Sequence, residues 1–328
     1  MTITSTQTGL SPQQQETFLR EGYLVVEDLF TDADLQPVIG EINEEVTRRA
    51  GEAVSAGELS SVFAEAGFER QLTLISRETD KVARSIWNGI LCGPAIFNLI
   101  RHPKLLDVAE SLCGPELIAS SVYRLRPKIP HYGFGAVPWH QDSGYFEPYC
   151  DKALVLTVWL PLVDATPENG CLEVIPRKHQ GEVAAHTTHA PTGYLVIRED
   201  AMPQGPSVLA PVRKGGALLL TNRTPHASGL NTTDIVRWSM DLRYQSAALP
   251  TNAAIPRLDG ESVPSPERGV PVACYPPEAD FLVRSRLRPH AVVTDPAEFQ
   301  RLRTTHQARP VTDRWRLTDT PFWNVRGQ

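Results

Sequence analysis

The chain has 328 residues, a formal net charge of −6 and a sequence pI near 5.9, which argues against nonspecific nucleic-acid binding because that requires a basic surface. Hydrophobic residues make up 41% and charged residues 21%, a balance that excludes a largely disordered chain and supplies a substantial core. The five cysteines, Cys92, Cys113, Cys150, Cys171 and Cys274, are odd in number, widely spaced and free of CxxC, so they read as thiols in a reducing compartment rather than a disulfide framework or zinc ribbon.

Residues 1–10 read as a disordered lead without the apolar stretch of a signal peptide. Ser11 then Pro12 is a helix start, an N-cap followed by proline at the first helical position; the helix should run to about Glu21, where Gly22 stops it. Tyr23 to Val26 is aromatic and β-branched and reads as a strand. Thr31 caps a longer helix through about Ala50, with Leu35, Val38, Ile39, Ile42 and Val46 near helical spacing. Residues 51–60 are a Gly, Ala and Ser-rich connection, and further helices are predicted around 82–91 and 103–112, the second ended by Gly114. The first part, 11–114, is therefore mostly helical.

From about 115 to 246 the texture changes to short β-rich runs, 117–125, 154–162, 171–175, 216–220 and 236–244, separated by Pro, Gly and Asn turns. The turn Pro167-Glu168-Asn169-Gly170 reads as a hairpin, because Asn-Gly tolerates positive φ at both central positions. This spacing predicts a jelly roll or barrel rather than a parallel sheet. The longest apolar run, Ala153 to Val163, is far short of a membrane span, so a soluble cytoplasmic protein is expected. Residues 247–328 form a C-terminal extension expected to pack on the core. It carries a short helix near 296–304 and the aromatic segment Trp315 to Trp323, and either covers a pocket mouth or forms the interface of a homodimer.

The chemistry concentrates at Pro138-Trp139-His140-Gln141-Asp142. His140 and Asp142 are two positions apart, and on an extended backbone both side chains project to one face. An imidazole and a carboxylate meeting there supply two of the three ligands of a 2-His-1-carboxylate metal site. Among the later histidines, His179 reads as a surface or hydrogen-bonding residue, and His186 with His189 forms an H-x-x-H in a flexible loop. His226 is the better third ligand: it follows the buried-type strand Ala217 to Leu220 and a turn, and precedes Ser228. Eleven positions after His226 comes Arg237, inside an apolar run where a guanidinium is costly unless an anion satisfies it. The anion is either a partner carboxylate such as Asp241 or a bound dicarboxylate held by the guanidinium fork. Arg124, Arg126 and Lys128 alternate on a strand and so share a side. Facing inward they would meet an anionic substrate or cosubstrate; facing outward they would be a solvated basic edge. His131, Tyr132, Phe134, Tyr145 and Phe146 flank the motif and are expected to shape the pocket mouth.

Phe18-x-x-x-Gly22-Tyr23-Leu24-Val25-Val26, Trp139 to Asp142, Val158 to Leu162, Thr166 to Pro176, His226-Ala227-Ser228, Asn231 and Arg237 occur in one order. In that combination the chain resembles the phytanoyl-CoA dioxygenase family of Fe(II)/2-oxoglutarate-dependent oxygenases, from about residue 18 to 245. The resemblance implies a mainly β fold with α: a double-stranded β-helix (jelly-roll or cupin-like) core, N-terminal helices packed outside, and a single oxygenase domain over 11–246. It implies Fe(II) on His140, Asp142 and His226, and Arg237 on the far carboxylate of 2-oxoglutarate. Ser228 would add a hydrogen bond, and Trp159 would either flank the cosubstrate or serve as a core tryptophan. 2-Oxoglutarate would chelate through its keto oxygen and C1 carboxylate and leave one position for O2. Succinate and CO2 would be released while a small-molecule metabolite is hydroxylated, desaturated or cyclised. Halogenating relatives carry a small residue in place of the carboxylate, so Asp142 favours oxygen chemistry. The competing reading is a non-oxygenase metal-binding protein, a cupin-like isomerase or ligand-binding module, which would have little need of Arg237.

Overall fold

The computed structural model describes residues 9–88, 91–120, 123–132, 135–145, 151, 153–187, 195–247 and 280–308. Residues 1–8 of the expected lead over 1–10, the segment 248–279, the aromatic end of the chain, Phe134, Phe146, His189, Cys150, Cys274 and the side chain of Tyr145 lie outside the described residues.

Helix α1 (Pro12–Glu21) begins in a reciprocal capping box: the Gln14 amide donates to Ser11 Oγ at 3.2 Å, and the Ser11 amide donates to Gln14 Oε1 at 2.9 Å. Gly22 ends it with φ of 83°. A Cβ there would lie 2.2 Å from Nδ1 of His179, so both the left-handed backbone and the adjacent ring demand glycine. Strand β1 (Tyr23–Val26) leads to α2 (Asp32–Ser55), capped by Thr31 and Asp34 in the same way. This helix runs past the expected end near Ala50, because Ala53 is buried and Arg48 pairs with Glu52 one turn on at 2.5 Å. Helices α3 (Gly67–Glu78), α4 (Lys81–Asn88), α5 (Pro94–Ile100) and α6 (Pro103–Cys113) complete the N-terminal layer. Sequence reasoning missed α3 and α5; α3 starts on glycine without a side-chain cap, and α5 is only seven residues long.

The strands β2 (Leu117–Ser120), β3 (Arg124–Lys128), β4 (Val137–His140), β5 (Val155–Pro161), β6 (Leu172–Val174), β7 (His186–Thr187), β8 (Val196–Ile197), β9 (Val208–Ala210), β10 (Ala217–Thr221), β11 (His226–Ser228), β12 (Arg237–Ser246) and β13 (Asp280–Arg284) follow. The large sheet has the order β1-β10-β5-β12-β2-β13, with β3 also paired to β12; the small sheet is β4-β11-β6-β9; β7 and β8 form a two-stranded ribbon. All these pairings are antiparallel. The expected single strand over 117–125 is two strands, β2 and β3, that pair with different stretches of β12. The turn at 167–170 is also not the expected hairpin. Only Gly170 has positive φ, the Thr166 amide donates to Asn169 Oδ1 at 2.8 Å, and the turn carries the chain from β5 in the large sheet to β6 in the small one.

Alternation along the strands separates two cores. Leu156, Val158 and Leu160 of β5 and Trp238, Met240, Leu242 and Tyr244 of β12 face the helices and share a core with Leu35, Ile42 and Phe97. Trp159, Leu218 and Leu220 project from the other face and pack with Leu172 and Val174 of the small sheet. This is the double-stranded β-helix with helices outside. It leaves the polar row of β12, Arg237, Asp241 and Arg243, lining the cavity between the sheets.

After residue 279, β13 extends the large sheet beyond β2, and α7 (Pro296–Ala308) places Phe299 against Phe97 and Phe281, with ring centroids 5.1 and 5.8 Å away. Phe299 is wholly buried. Phe299→Ala is therefore expected to cost about 3–5 kcal/mol of stability. Urea unfolding of the full chain checks this, and a loss below 1 kcal/mol (a small fraction of the about 3–5 kcal/mol expected) would mean that α7 is not part of the cooperative core.

Candidate metal centre

His140 ends β4 and pairs directly with His226 on β11. This register places the two rings side by side, with centroids 4.2 Å apart. Asp142 is not on the strand, contrary to the extended geometry expected for His140 and Asp142. The strand stops at His140, and Asp142 opens a 3-10 turn, Asp142–Tyr145. The carboxylate still reaches the histidines, because one ligand atom from each of His140, Asp142 and His226 lies within 4.8 Å of the others.

The backbone fixes the tautomer of both histidines. His140 Nδ1 lies 2.9 Å from the carbonyl of Pro138, and His226 Nδ1 lies 2.9 Å from that of Thr224. A carbonyl only accepts, so each Nδ1 carries the proton and each Nε2 keeps its lone pair for a metal. Burial, reinforced by the neighbouring His226, pushes His140 down to about 3 and keeps it neutral. Burial alone would raise the Asp142 carboxyl, but the Arg243 guanidinium, the two imidazoles and a hydrogen bond from Thr157 outweigh it and hold the carboxyl below the usual range. Arg243 Nη2 donates to Oδ1 at 3.0 Å and Thr157 Oγ1 donates to Oδ2 at 2.6 Å.

Gln141 locks the motif between its ligands. Its amide donates to His186 Nε2 at 3.1 Å, its side-chain nitrogen donates to Arg223 O at 2.6 Å, and its side-chain oxygen accepts from the Ala184 amide at 2.8 Å. His186, weighed as a ligand in an H-x-x-H, is thus a support, and His179 binds Leu19 O through Nε2 at 3.0 Å. Because supports of this kind set metal affinity by about 10–100-fold, Gln141→Leu is expected to weaken Mn(II) binding by at least about 10-fold. Calorimetric titration measures it; unchanged affinity would remove Gln141 from the site.

The cavity at this cluster has a volume of about 260 Å³ and extends to Arg237, Ser228 and Trp159. Arg237 is 2% exposed. Its Nη1 donates to Ser239 Oγ at 2.6 Å, its guanidinium carbon lies 5.0 Å from the Trp159 ring centroid, and its Nε has no hydrogen-bond partner among the described residues. Burial lowers it to about 10, still charged at neutral pH. Asp241 does not neutralise it through a direct bond, for its Oδ2 accepts from Arg126 Nε at 2.6 Å.

Arg124, Arg126 and Lys128 point inward: the two arginines line the cavity, and Lys128 Nζ donates to Ser228 Oγ at 2.7 Å and to Gly229 O. Burial, then repulsion from Arg237 and Arg126, pushes Lys128 down to about 6. A neutral amine keeps two N–H donors for those two acceptors, and Ser228 keeps its own proton to donate elsewhere. The folded pKa lies below the unfolded value near 10.5, so between about 6 and 10.5 the unfolded chain binds the extra proton and stability rises with pH. Lys128→Met should remove a slope of up to about 1.4 kcal/mol per pH unit. Urea unfolding of both proteins at several pH values in that window tests it; parallel profiles would refute it.

Gln141, Thr157 and Arg243 escaped sequence reasoning as parts of this site, and of the two facings weighed for Lys128 the inward one holds. The one usable signal was Arg243, which lies six residues after Arg237 in the same strand and so on the same face.

The profile described as phytanoyl-CoA dioxygenase (PhyH) matches residues 18–239. Mouse phytanoyl-CoA dioxygenase domain-containing protein 1 is 29% identical over 271 residues, covering 73% of this chain and 91% of that protein. The apo non-haem monooxygenase ThoJ shares the fold with a TM-score of 0.51 at 19% identity, covering 90% of this chain and 100% of its own. EctD from S. alaskensis, solved with 2-oxoglutarate and 5-hydroxyectoine, shares it with a TM-score of 0.50 at 22% identity, covering 74% and 79%. No helix among the described residues is long and apolar enough to cross a membrane. The chain belongs to the phytanoyl-CoA dioxygenase family, and so to the non-haem iron dioxygenases that use 2-oxoglutarate.

Proposed function

We propose that His140 and His226, each through Nε2, and Asp142, through a carboxylate oxygen, hold Fe(II), and that Arg237 holds the far carboxylate of 2-oxoglutarate. The protein then hydroxylates, desaturates or cyclises a small-molecule metabolite with release of succinate and CO2. The residues fit both groups. Two imidazoles whose Nδ1 atoms are tied to backbone carbonyls, and an ionised carboxylate, match a ferrous site with open positions. The observation that carries the reading is Arg237: a buried guanidinium that, among the described residues, has no carboxylate bonded to it and an unpartnered Nε, in the cavity that holds the triad. Such a group is costly in a protein that binds no anion there, which disfavours a cupin-like isomerase or ligand-binding module.

When bound, the iron supplies O2 activation coupled to oxidative decarboxylation of 2-oxoglutarate. The chain supplies position and charge. The Pro138 and Thr224 carbonyls aim the imidazoles, and Arg243 and Thr157 restrict the carboxylate. Trp159 stacks beside the Arg237 guanidinium, and Ser228, its oxygen occupied by Lys128, has a proton for a cosubstrate oxygen. The retained carboxylate of Asp142 supports oxygen chemistry over halogen transfer. A reducing cytoplasmic setting belongs to the same proposal, supported by Cys92, Cys113 and Cys171, which are buried and unpaired.

Anaerobic addition of Fe(II) and then 2-oxoglutarate should give a visible charge-transfer band that is absent from His226→Ala, and air should then release succinate. Tight Zn(II) binding with no band and no succinate would favour the non-oxygenase reading.

A further inference from the structure

We propose that the primary substrate is a small organic anion whose carboxylate or phosphate is held by Arg124. This rests on the assignment of Arg237 to 2-oxoglutarate. Four arginines and two aspartates line the cavity among the described residues: Arg124, Arg126, Arg237, Arg243, Asp142 and Asp241. Three of the arginines are accounted for. Arg243 donates to Asp142, Arg126 donates to Asp241, and Arg237 takes the cosubstrate. Arg124 is left over. Its guanidinium makes no ion pair or hydrogen bond among the described residues.

Its place in the sheet suits a substrate anchor. In the β3–β12 register Arg124 lies opposite Asp241, and in the β12–β5 register Asp241 lies opposite Trp159. The next inward-facing pair on the metal side is Arg243 with Thr157, the two groups bonded to Asp142. Arg124 therefore stands one row from the metal ligand's own partners, laterally displaced from the line that joins the triad to Arg237. Its cross-strand neighbour Asp241 does not bond it; Asp241 Oδ2 accepts from Arg126, whose guanidinium lies 4.9 Å from the Trp87 ring centroid. Trp87, Val137 and Leu172 line the same cavity and offer apolar surface to the body of such an anion. Arginine presents two parallel N–H donors that match a carboxylate or a phosphate alike.

The test loads the full chain with Mn(II) and 2-oxoglutarate, which occupies Arg237, and then titrates it calorimetrically with butyrate, ethyl phosphate or neutral butyramide. Binding of 2-oxoglutarate is measured first; its absence refutes the cosubstrate assignment, and this proposal with it. With the cosubstrate bound, butyrate or ethyl phosphate should bind and butyramide should not, and the better of the two anions identifies the headgroup. Arg124→Gln should weaken that binding at least tenfold while the affinity for 2-oxoglutarate stays within twofold, and Arg124→Lys should recover part of it. Butyramide binding as well as butyrate, no binding by either anion, or anion binding unchanged in Arg124→Gln would each overturn the proposal. A loss of 2-oxoglutarate affinity in Arg124→Gln would overturn it too, by assigning Arg124 to the cosubstrate. If Arg124→Gln fails to fold, the comparison of butyrate, ethyl phosphate and butyramide on the unsubstituted protein tests the anion preference, and Arg124→Lys, with weakened anion binding and unchanged 2-oxoglutarate affinity, tests the residue.

Discussion

Asp142→Ala is expected to abolish Fe(II) binding and to destabilise the metal-free fold at the same time. The first effect follows from the ligand set. Loss of a group that merely supports a metal ligand costs about 10–100-fold in affinity, so loss of the ligand itself should exceed about 100-fold. The second follows from Arg243, which is 9% exposed and donates to Asp142 Oδ1. Removing one partner of a buried ion pair costs about 3–5 kcal/mol. The two effects separate in a double variant. Asp142→Ala with Arg243→Met removes both charges, so most of the stability should return while metal binding stays lost. His226→Ala provides the contrast, since it removes a ligand without stranding a charge. Mn(II) calorimetry and urea unfolding of the metal-free proteins give the two readouts. Metal affinity within tenfold of the parent in Asp142→Ala would exclude it as a ligand. Equal unfolding midpoints for the single and double variants would show that Arg243 does not depend on it.

That coupling was not legible in the sequence, and the reason is physical. Local signals report local structure. Ser11-Pro12 and Thr31 marked helix starts, and the β-rich run 236–244 marked a strand. His226 and Arg237 stood out because a histidine after a buried strand and an arginine inside one both need an explanation. Register between distant strands leaves no such trace. That Asp241 bonds Arg126 rather than Arg237 depends on how β3 lies against β12, more than a hundred residues away along the chain. The same holds for Thr157, fifteen residues from Asp142, and for Lys128 beneath Ser228. The short strands β4 and β11, with four and three residues, carry two metal-ligand candidates yet are too brief for periodicity to reveal. The inward direction of Arg124, Arg126 and Lys128 likewise required the sheet, because alternation assigns residues to a common side without saying which side is the interior.

Arg237→Met is expected to raise the KM for 2-oxoglutarate by about 100-fold or more while leaving Mn(II) affinity unchanged within about twofold. Truncating one partner of a buried, hydrogen-bonded charge pair costs about 2–5 kcal/mol, and each 1.4 kcal/mol is about tenfold. Arg237→Lys should recover only part of the loss, since an ammonium cannot reproduce the two parallel donors of the guanidinium. A purely structural role for Arg237 makes the opposite forecast for the empty protein. If Arg237 were there to hold the fold together, its loss would destabilise every form equally. Among the described residues its buried Nε lacks a partner and its charge has no carboxylate bonded to it, so in the absence of cosubstrate the guanidinium is a liability. The metal-loaded protein without 2-oxoglutarate should therefore be at least as stable with methionine as with arginine. What should vanish is the cosubstrate's own contribution, about 2.7 kcal/mol at a concentration 100 times the Kd. Thermal unfolding with and without 2-oxoglutarate distinguishes the two. A fall in stability without 2-oxoglutarate, with stabilisation by it intact, would move Arg237 out of the cosubstrate site. The reverse pattern is what a charge buried ahead of its ligand requires.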